Sequence, residues 1–227
     1  MLSALLHLFY PHSCESCGRD LSRNEEILCL RCYHRLPVTR YHLVPNNPVE
    51  KLFWGRVPVQ HASAAYYFGK HSHLQHLIHS FKYLGRKDIA FFLGRQMGNM
   101  LMESGWLTDA TSIVPVPLFK SREKKRGYNQ AAVLASGISE VTGCRLRQDV
   151  LFRKTFTDTQ THKGRIDRWQ NVSEVFYSRK NEGLEGEHVL LVDDVLTTGA
   201  TMEACANSLA GIKDLKISVF GLAYTSV

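Results

Sequence analysis

The hydrophobic positions of this chain switch between two spacings, one typical of strands and one typical of helices. Short apolar or alternating runs predict strands at 61–68, 111–116, 145–152, 174–177, 188–192 and 215–224. Apolar residues three and four positions apart predict helices at 73–84, 89–103, 130–141 and 202–210. Because strands and helices alternate along the chain, we expect an α/β fold with a doubly wound, mostly parallel sheet.

Two segments lack either spacing. Residues 33–60 contain four prolines and an Asn-Asn pair, which indicates an irregular connection. Residues 153–170 are polar and charged, and we expect a long mobile loop there, since loops of that length in compact domains are usually functional or disordered. The connection separates a small module at 1–45 from a larger α/β domain at 46–227.

The composition of the chain is that of an ordinary soluble protein, with 44% hydrophobic and 22% charged residues. No apolar run approaches the roughly 18 residues of a membrane span. The apolar cluster at 2–9 lacks a basic leader and a small-residue cleavage site, so we expect no signal peptide and a cytoplasmic location. The formal charge of +7 suits an anionic ligand, either nucleic acid or a phosphorylated metabolite, but basic proteins without a nucleic-acid role are also common.

Four cysteines near the N-terminus form two Cys-x-x-Cys pairs, Cys14 with Cys17 and Cys29 with Cys32. Each two-residue gap lets a tight turn direct both thiolates at one ion, and four thiolates complete a tetrahedral shell. This spacing predicts a structural Zn²⁺ site. Two disulfides are the alternative in an oxidising compartment, and an iron–sulfur centre is a further one.

The run 189–201 has the order of a sugar-phosphate site. Two carboxylates, Asp193 and Asp194, follow an apolar strand, where they can accept hydrogen bonds from a ribose diol. A turn and the start of a helix come next, and their backbone N–H groups suit a phosphate. This turn consists of Thr197, Thr198, Gly199, Ala200 and Thr201. The alternative is that the two carboxylates only cap a helix.

Five cations fall within seven residues just after the predicted strand 111–116, and they include Lys120 and Arg122. A strand end is where ligands of open parallel sheets bind, so these cations can face an anionic group. A solvated charged turn is the alternative.

The run 189–201 resembles the thirteen-residue signature of type I phosphoribosyltransferases, which binds phosphoribosyl pyrophosphate (PRPP). Residues 114–117 and 120–130 resemble the pyrophosphate-loop region of that fold, and Phe81-Lys82-Tyr83 resembles a lysine-containing helix end. Further similarity to a flexible catalytic loop and the strand after it lies at Arg153, Thr155, Gln160, Arg165, Asn171 and Phe176. Together with the cysteine module, the arrangement resembles the ComF family of competence-associated, phosphoribosyltransferase-like proteins over nearly the full length.

The resemblance implies roles for these residues. Asp193 and Asp194 would hold the ribose 2′- and 3′-hydroxyls, and the 197–201 turn would wrap the 5′-phosphate. Mg²⁺, Lys120 and Arg122 would stabilise the leaving pyrophosphate while a nucleophile attacks the anomeric carbon. Arg153 and Arg165 would close over the pyrophosphate and exclude water, unless they are ordinary surface arginines.

The resemblance also implies a second function, a non-catalytic or weakly catalytic adaptor in DNA uptake. Such a protein would bind single-stranded DNA and work with the DNA-uptake helicase machinery. The charge of +7 and the basic run 120–126 agree with DNA binding. The segment before Val114 shows no purine or pyrimidine pattern, so the acceptor of a transfer reaction stays open. No segment resembles the recognition helix of a zinc-ribbon transcription factor.

Overall fold

A computed structural model describes residues 12–106, 112–153, 175–178 and 183–225 of the chain. Its strands are β1 (Ala62–Tyr67), β2 (Ser112–Pro115), β3 (Arg145–Leu146), β4 (Leu151–Arg153), β5 (Phe176–Ser178), β6 (His188–Leu196) and β7 (Lys216–Tyr224). Five of them form one sheet in the order β1-β7-β6-β2-β3, with every neighbouring pair parallel. The predicted α/β fold with a mostly parallel sheet is confirmed.

Helices pack on both faces of this sheet. They are α1 (Leu30–Tyr33), α2 (Pro48–Lys51), α3 (His73–Tyr83), α4 (Lys87–Ser104), α5 (Lys120–Arg126), α6 (Gln130–Thr142) and α7 (Ala200–Asn207), with a 3₁₀ turn at Tyr41–Leu43. On β6, Leu190 and Val192 join the core under α3, α4 and α6, while Val189 and Leu191 join the core under α7. The near-continuous apolar run therefore belongs to a strand buried on both faces, as in other parallel sheets.

The predicted strand 145–152 is wrong as a single element. Arg145 and Leu146 pair with β2 in the main sheet, whereas Leu151–Arg153 pairs antiparallel with β5 in a separate two-stranded sheet. The chain bends between them at 148–150, where polar Gln148 and Asp149 lie exposed. The predicted loop 153–170 begins with the last residue of β4, and its other positions lie outside the described residues.

The connection 33–60 is more ordered than its proline content predicts. Residues 37–39 run antiparallel to edge strand β1, with the Thr39 N–H 3.0 Å from the Ala65 carbonyl. Buried Asn47 then begins α2, because its side-chain oxygen accepts hydrogen bonds from the Val49 and Glu50 N–H groups. The domain boundary between 45 and 46 stays a prediction.

Candidate functional site

The acidic pair lies inside β6, two residues before the strand ends. Pairing with β2 stops at Val192, while pairing with β7 continues through Asp193 opposite Gly221 to Leu196. The carboxylates therefore lie at the carboxyl-terminal edge of the sheet, beside the end of β2. This is where open parallel sheets bind their ligands.

The two carboxylates have different surroundings. Burial and the neighbouring charge of Asp194 raise the pKa of Asp193 to about 7, although the Asp194 N–H donates to Asp193 Oδ1 over 2.8 Å. Asp194 forms an ion pair with Lys82 at the end of α3, with 2.7 Å between Nζ and Oδ2. Lys82 and Arg153 both lower the pKa of Asp193. Two cations therefore oppose the repulsion within the acidic pair.

The turn after β6 leads through a left-handed glycine into the start of α7. Gly199 precedes α7 with a φ of 75°, in the left-handed region where glycine is favoured. A Cβ at this position would lie 3.2 Å from the Phe53 ring, so the ring and the turn are in close contact. The hydroxyl residues Thr197, Thr198 and Thr201 are exposed. Their side chains and the α7 N-terminus are thus open to an anion from solvent.

A bracing segment, residues 52–56, holds this turn from the side. Arg56 donates hydrogen bonds to the carbonyls of Thr198 and Leu52, both over 2.9 Å, and forms an ion pair with Glu203 of α7. The bracing segment and the turn are more than 140 residues apart in sequence. The sequence does not predict this contact, because neither segment carries a pattern that points to the other.

Arg153 lies against two aromatic rings near the acidic pair. Its guanidinium carbon lies 3.5 Å from the Phe119 ring centre and 4.8 Å from that of Phe176. Burial lowers the pKa of Arg153, and its Nε has no hydrogen-bond partner. The guanidinium carbon of Arg122 lies 5.8 Å from the centre of the same Phe119 ring. Both arginines thus make cation–π contacts, which leave their hydrogen-bond donors available to an anion.

A cleft of about 680 Å³ opens between β2, β4 and the start of α5. Lys120 and Arg153 line it together with the polar side chains of Asn129 and Gln148. The cleft is next to the end of β2, so it continues the carboxyl-terminal edge that carries Asp193.

Most of the site residues proposed from sequence share this edge. The structure places there the acidic pair, the 197–201 turn, Lys120, Arg122 and Arg153. Arg165 lies outside the described residues. Lys82, Phe119 and Phe176 complete the group. Lys82 and Phe176 belong to segments that the resemblance had singled out, but no role in the site was predicted for any of the three.

The four cysteines of the N-terminal module form one cluster. Their sulfur atoms all lie within 4.8 Å of one another, with 3.7 Å between Cys17 and Cys29. A tetrahedral ion with Zn–S bonds of about 2.3 Å requires sulfur atoms about 3.8 Å apart. Burial raises the pKa of Cys14, but N–H groups of Cys29, Ser16 and Cys17 outweigh it and lower that pKa to about 7. The cluster can hold a metal ion, and its thiols are free rather than paired in disulfides.

In the part of the chain that the structure describes, no helix is both long enough and apolar enough to span a bilayer.

Comparison with known proteins gives matches along most of the chain. Residues 110–220 match the phosphoribosyl transferase domain. DNA utilization protein YhgH of Escherichia coli (strain K12) is 30% identical over 200 residues, which cover 86% of this chain and 83% of that protein. Competence protein F of Haemophilus influenzae is 37% identical over 114 residues, covering 49% of each chain. Competence protein ComFC of Bacillus subtilis is 37% identical over 97 residues, covering 43% of this chain and 37% of that protein.

Proposed function

Because the chain belongs to the ComF family of competence-associated, phosphoribosyltransferase-like proteins, we propose that its carboxyl-terminal sheet edge binds PRPP. We propose further that it transfers the phosphoribosyl group to an acceptor in a Mg²⁺-dependent reaction. The observation that carries this proposal is the position of the acidic pair between a phosphate-binding turn and a set of cations.

Each part of this edge matches one part of the ligand. Asp193 and Asp194 accept hydrogen bonds from the ribose 2′- and 3′-hydroxyls, which fixes the sugar in place. The 197–201 turn and the α7 N-terminus bind the 5′-phosphate. The bracing segment holds the turn in that conformation before the ligand arrives, which lowers the ordering cost of binding.

The cations act on the leaving group. When the bond between the anomeric carbon and the pyrophosphate oxygen breaks, the electron pair stays on pyrophosphate and the new bond forms to the acceptor. Lys120, Arg122 and Arg153 stabilise the negative charge that develops there, and Arg165 is proposed to join them. Apart from the cysteine cluster, the described residues contain no group of three metal-ligating side chains, so Mg²⁺ would arrive with PRPP, held by its phosphate oxygens.

The test removes the charge of the acidic pair while keeping its shape. Asp193→Asn together with Asp194→Asn should weaken PRPP binding by about 100-fold or more, because each charge-assisted hydrogen bond is worth roughly 1.5–3 kcal/mol. Calorimetry with PRPP and Mg²⁺ measures this affinity, and the exposed Asp214→Asn is the matched control. Unchanged affinity in a folded double variant would refute the ribose assignment. Pyrophosphate release with a panel of bases and nucleic acids then tests the transfer step.

A second candidate function is binding of single-stranded DNA. It is favoured by helix α5, which buries none of its residues and carries five cations beside aromatic rings. Arg126 lies 5.4 Å from the ring centre of Tyr83, which is 59% exposed. Exposed rings beside cations are the usual platform for unpaired bases.

The salt dependence of oligonucleotide affinity tests this second candidate. Lys124→Gln with Lys125→Gln should weaken binding and make the log–log salt slope shallower by about 1.4, at about 0.7 for each lost phosphate contact. Lys213→Gln with Lys216→Gln is the control, since these exposed lysines lie at the opposite, amino-terminal edge of the sheet. Affinity that does not change with salt would exclude the DNA-binding candidate.

For the cysteine cluster we propose one structural Zn²⁺ per chain, held by Cys14, Cys17, Cys29 and Cys32. The clustering of the four sulfur atoms within 4.8 Å of one another and the N–H group of Cys29, 3.3 Å from Cys14 Sγ, support thiolate ligands. Four protein ligands leave no open position, so this ion would stabilise the fold rather than take part in chemistry.

A further inference from the structure

The ion pair between Lys82 and Asp194 is unusually shielded from water. The two side chains are only 17% and 16% exposed, with 2.7 Å between Nζ and Oδ2. By contrast, Arg95 and Glu26 on the protein surface form a pair that is 37% and 57% exposed. A partly buried pair at hydrogen-bond distance is screened much less than a surface pair. Lys82 therefore acts on the acidic pair at short range, and it is one of the two cations that lower the pKa of Asp193.

The backbone beside Lys82 is fixed. Phe81 is fully buried, and its carbonyl accepts a hydrogen bond from the Tyr128 hydroxyl, which belongs to the turn between α5 and α6. Lys82 also occupies the last turn of α3, where a cation is favoured by the helix dipole. The four-carbon side chain of Lys82 can change conformation, but the backbone from which it extends is held in place.

The proposed ligand competes with Lys82 for the same carboxylate. Ribose hydroxyls are donors and need the oxygens of Asp194, one of which already accepts from the ammonium group. The phosphates of PRPP, in turn, bring negative charge next to two carboxylates. A nearby cation with a flexible side chain can relieve both conflicts by moving from Asp194 to the ligand.

Resting on PRPP binding as proposed above, we propose that Lys82 is a positioning residue of this site. In the ligand-free protein its ammonium group holds the Asp194 carboxylate in place. When the ligand binds, Lys82 gives up this carboxylate to the ribose hydroxyls and contacts an anionic group of the ligand instead.

The ligand-free half of this proposal is tested by carbon-13 NMR of the aspartate carboxyls. Lys82→Met removes the charge at nearly constant length, and the pKa of Asp193 should rise because a neighbouring cation is lost. Lys82→Arg should restore it, whereas the exposed Lys70→Met should leave it unchanged. Identical titrations of the wild type and Lys82→Met would overturn the pairing.

The ligand-bound half is tested by calorimetry with PRPP and Mg²⁺ on the same variants. Lys82→Met should lose about tenfold or more in affinity, the effect of one charge-assisted hydrogen bond, and Lys82→Arg should recover most of it. Equal PRPP affinity for the wild type and Lys82→Met would overturn the transfer of Lys82 to the ligand. A wild-type protein that binds no PRPP overturns the proposed function, and the NMR titration still decides the pairing with Asp194.

Discussion

At the residue scale, Asp193 is a position where the site works against the stability of the fold. Its pKa of about 7 lies above the ordinary value of 3.8. Between these two pH values the unfolded chain ionises this carboxyl while the folded protein keeps its proton. Stability is therefore lost as the pH rises through this window, and the loss is complete above pH 7.

We expect Asp193→Asn to stabilise the protein at pH 8 and to have little effect at pH 4. The amide carries no charge, so the buried site no longer opposes folding at high pH. A gain of about 2 kcal/mol would raise the midpoint of thermal unfolding by about 4–8 °C for a chain of this size. Thermal melts at the two pH values measure this difference.

The exposed Asp214→Asn is the control for the same chemical change, and its effect should be small at both pH values. A thermal midpoint of Asp193→Asn that rises equally at pH 4 and pH 8, or that falls at pH 8, would contradict the raised pKa of Asp193. The asparagine variant should still lose PRPP affinity, a trade of function for stability that is common at binding sites.

At the element scale, the sequence was most informative where one local pattern decides one element. Helices α3, α4 and α6 lie within two residues of their predicted bounds, because each has one apolar face with a helical period. Strand β6 was found by its apolar run, but it continues four residues beyond 192. That extension carries Asp193 and Asp194, and it exists because β7 keeps pairing with Asp193, Val195 and Leu196.

Elements that depend on distant partners were missed. Residues 37–39 follow β1 because its edge is open to pairing, which no local pattern shows. Asn47 also has one distant partner, since its amide donates to the carbonyl of Ala62 on β1 as well as to the nearby carbonyls of Tyr41 and Val44. Proline content indicated an irregular connection at a place where these contacts impose order.

The residues of the site also fall into a group that is adjacent in sequence and a group that comes from distant segments. Asp193, Asp194 and the 197–201 turn are adjacent in sequence, so their order alone predicted a site. Lys82 and Arg56 reach the same place from segments more than 100 residues away. Their contribution depends on the sheet order, which brings α3 and the bracing segment to the carboxyl-terminal edge.

At the scale of the whole molecule, the cysteine module and the α/β fold share one hydrophobic core. Cys14, Cys29 and Cys32 belong to the same buried cluster as Phe81 of α3 and Leu93 of α4. Polar contacts cross the same boundary, among them a 2.7 Å hydrogen bond from the Tyr33 hydroxyl to the Gln96 side chain and the ion pairs Glu15–Arg86 and Glu26–Arg95. Loss of the metal should therefore affect the stability of the entire fold.

We expect Cys17→Ser to remove the proposed zinc and to lower the stability of the whole chain in one cooperative transition. Cys17 is exposed, so the substitution itself costs little packing, and the loss reports the metal. If the metal stabilises the folded chain by about 3 kcal/mol, its loss would lower the thermal midpoint by about 6–12 °C. The zinc content measured by elemental analysis should fall below one ion per chain. Cys144→Ser, outside the cluster, is the control and should keep both the metal and the thermal midpoint. Two separate transitions, with the main one unmoved, would show instead that the module and the α/β fold unfold independently.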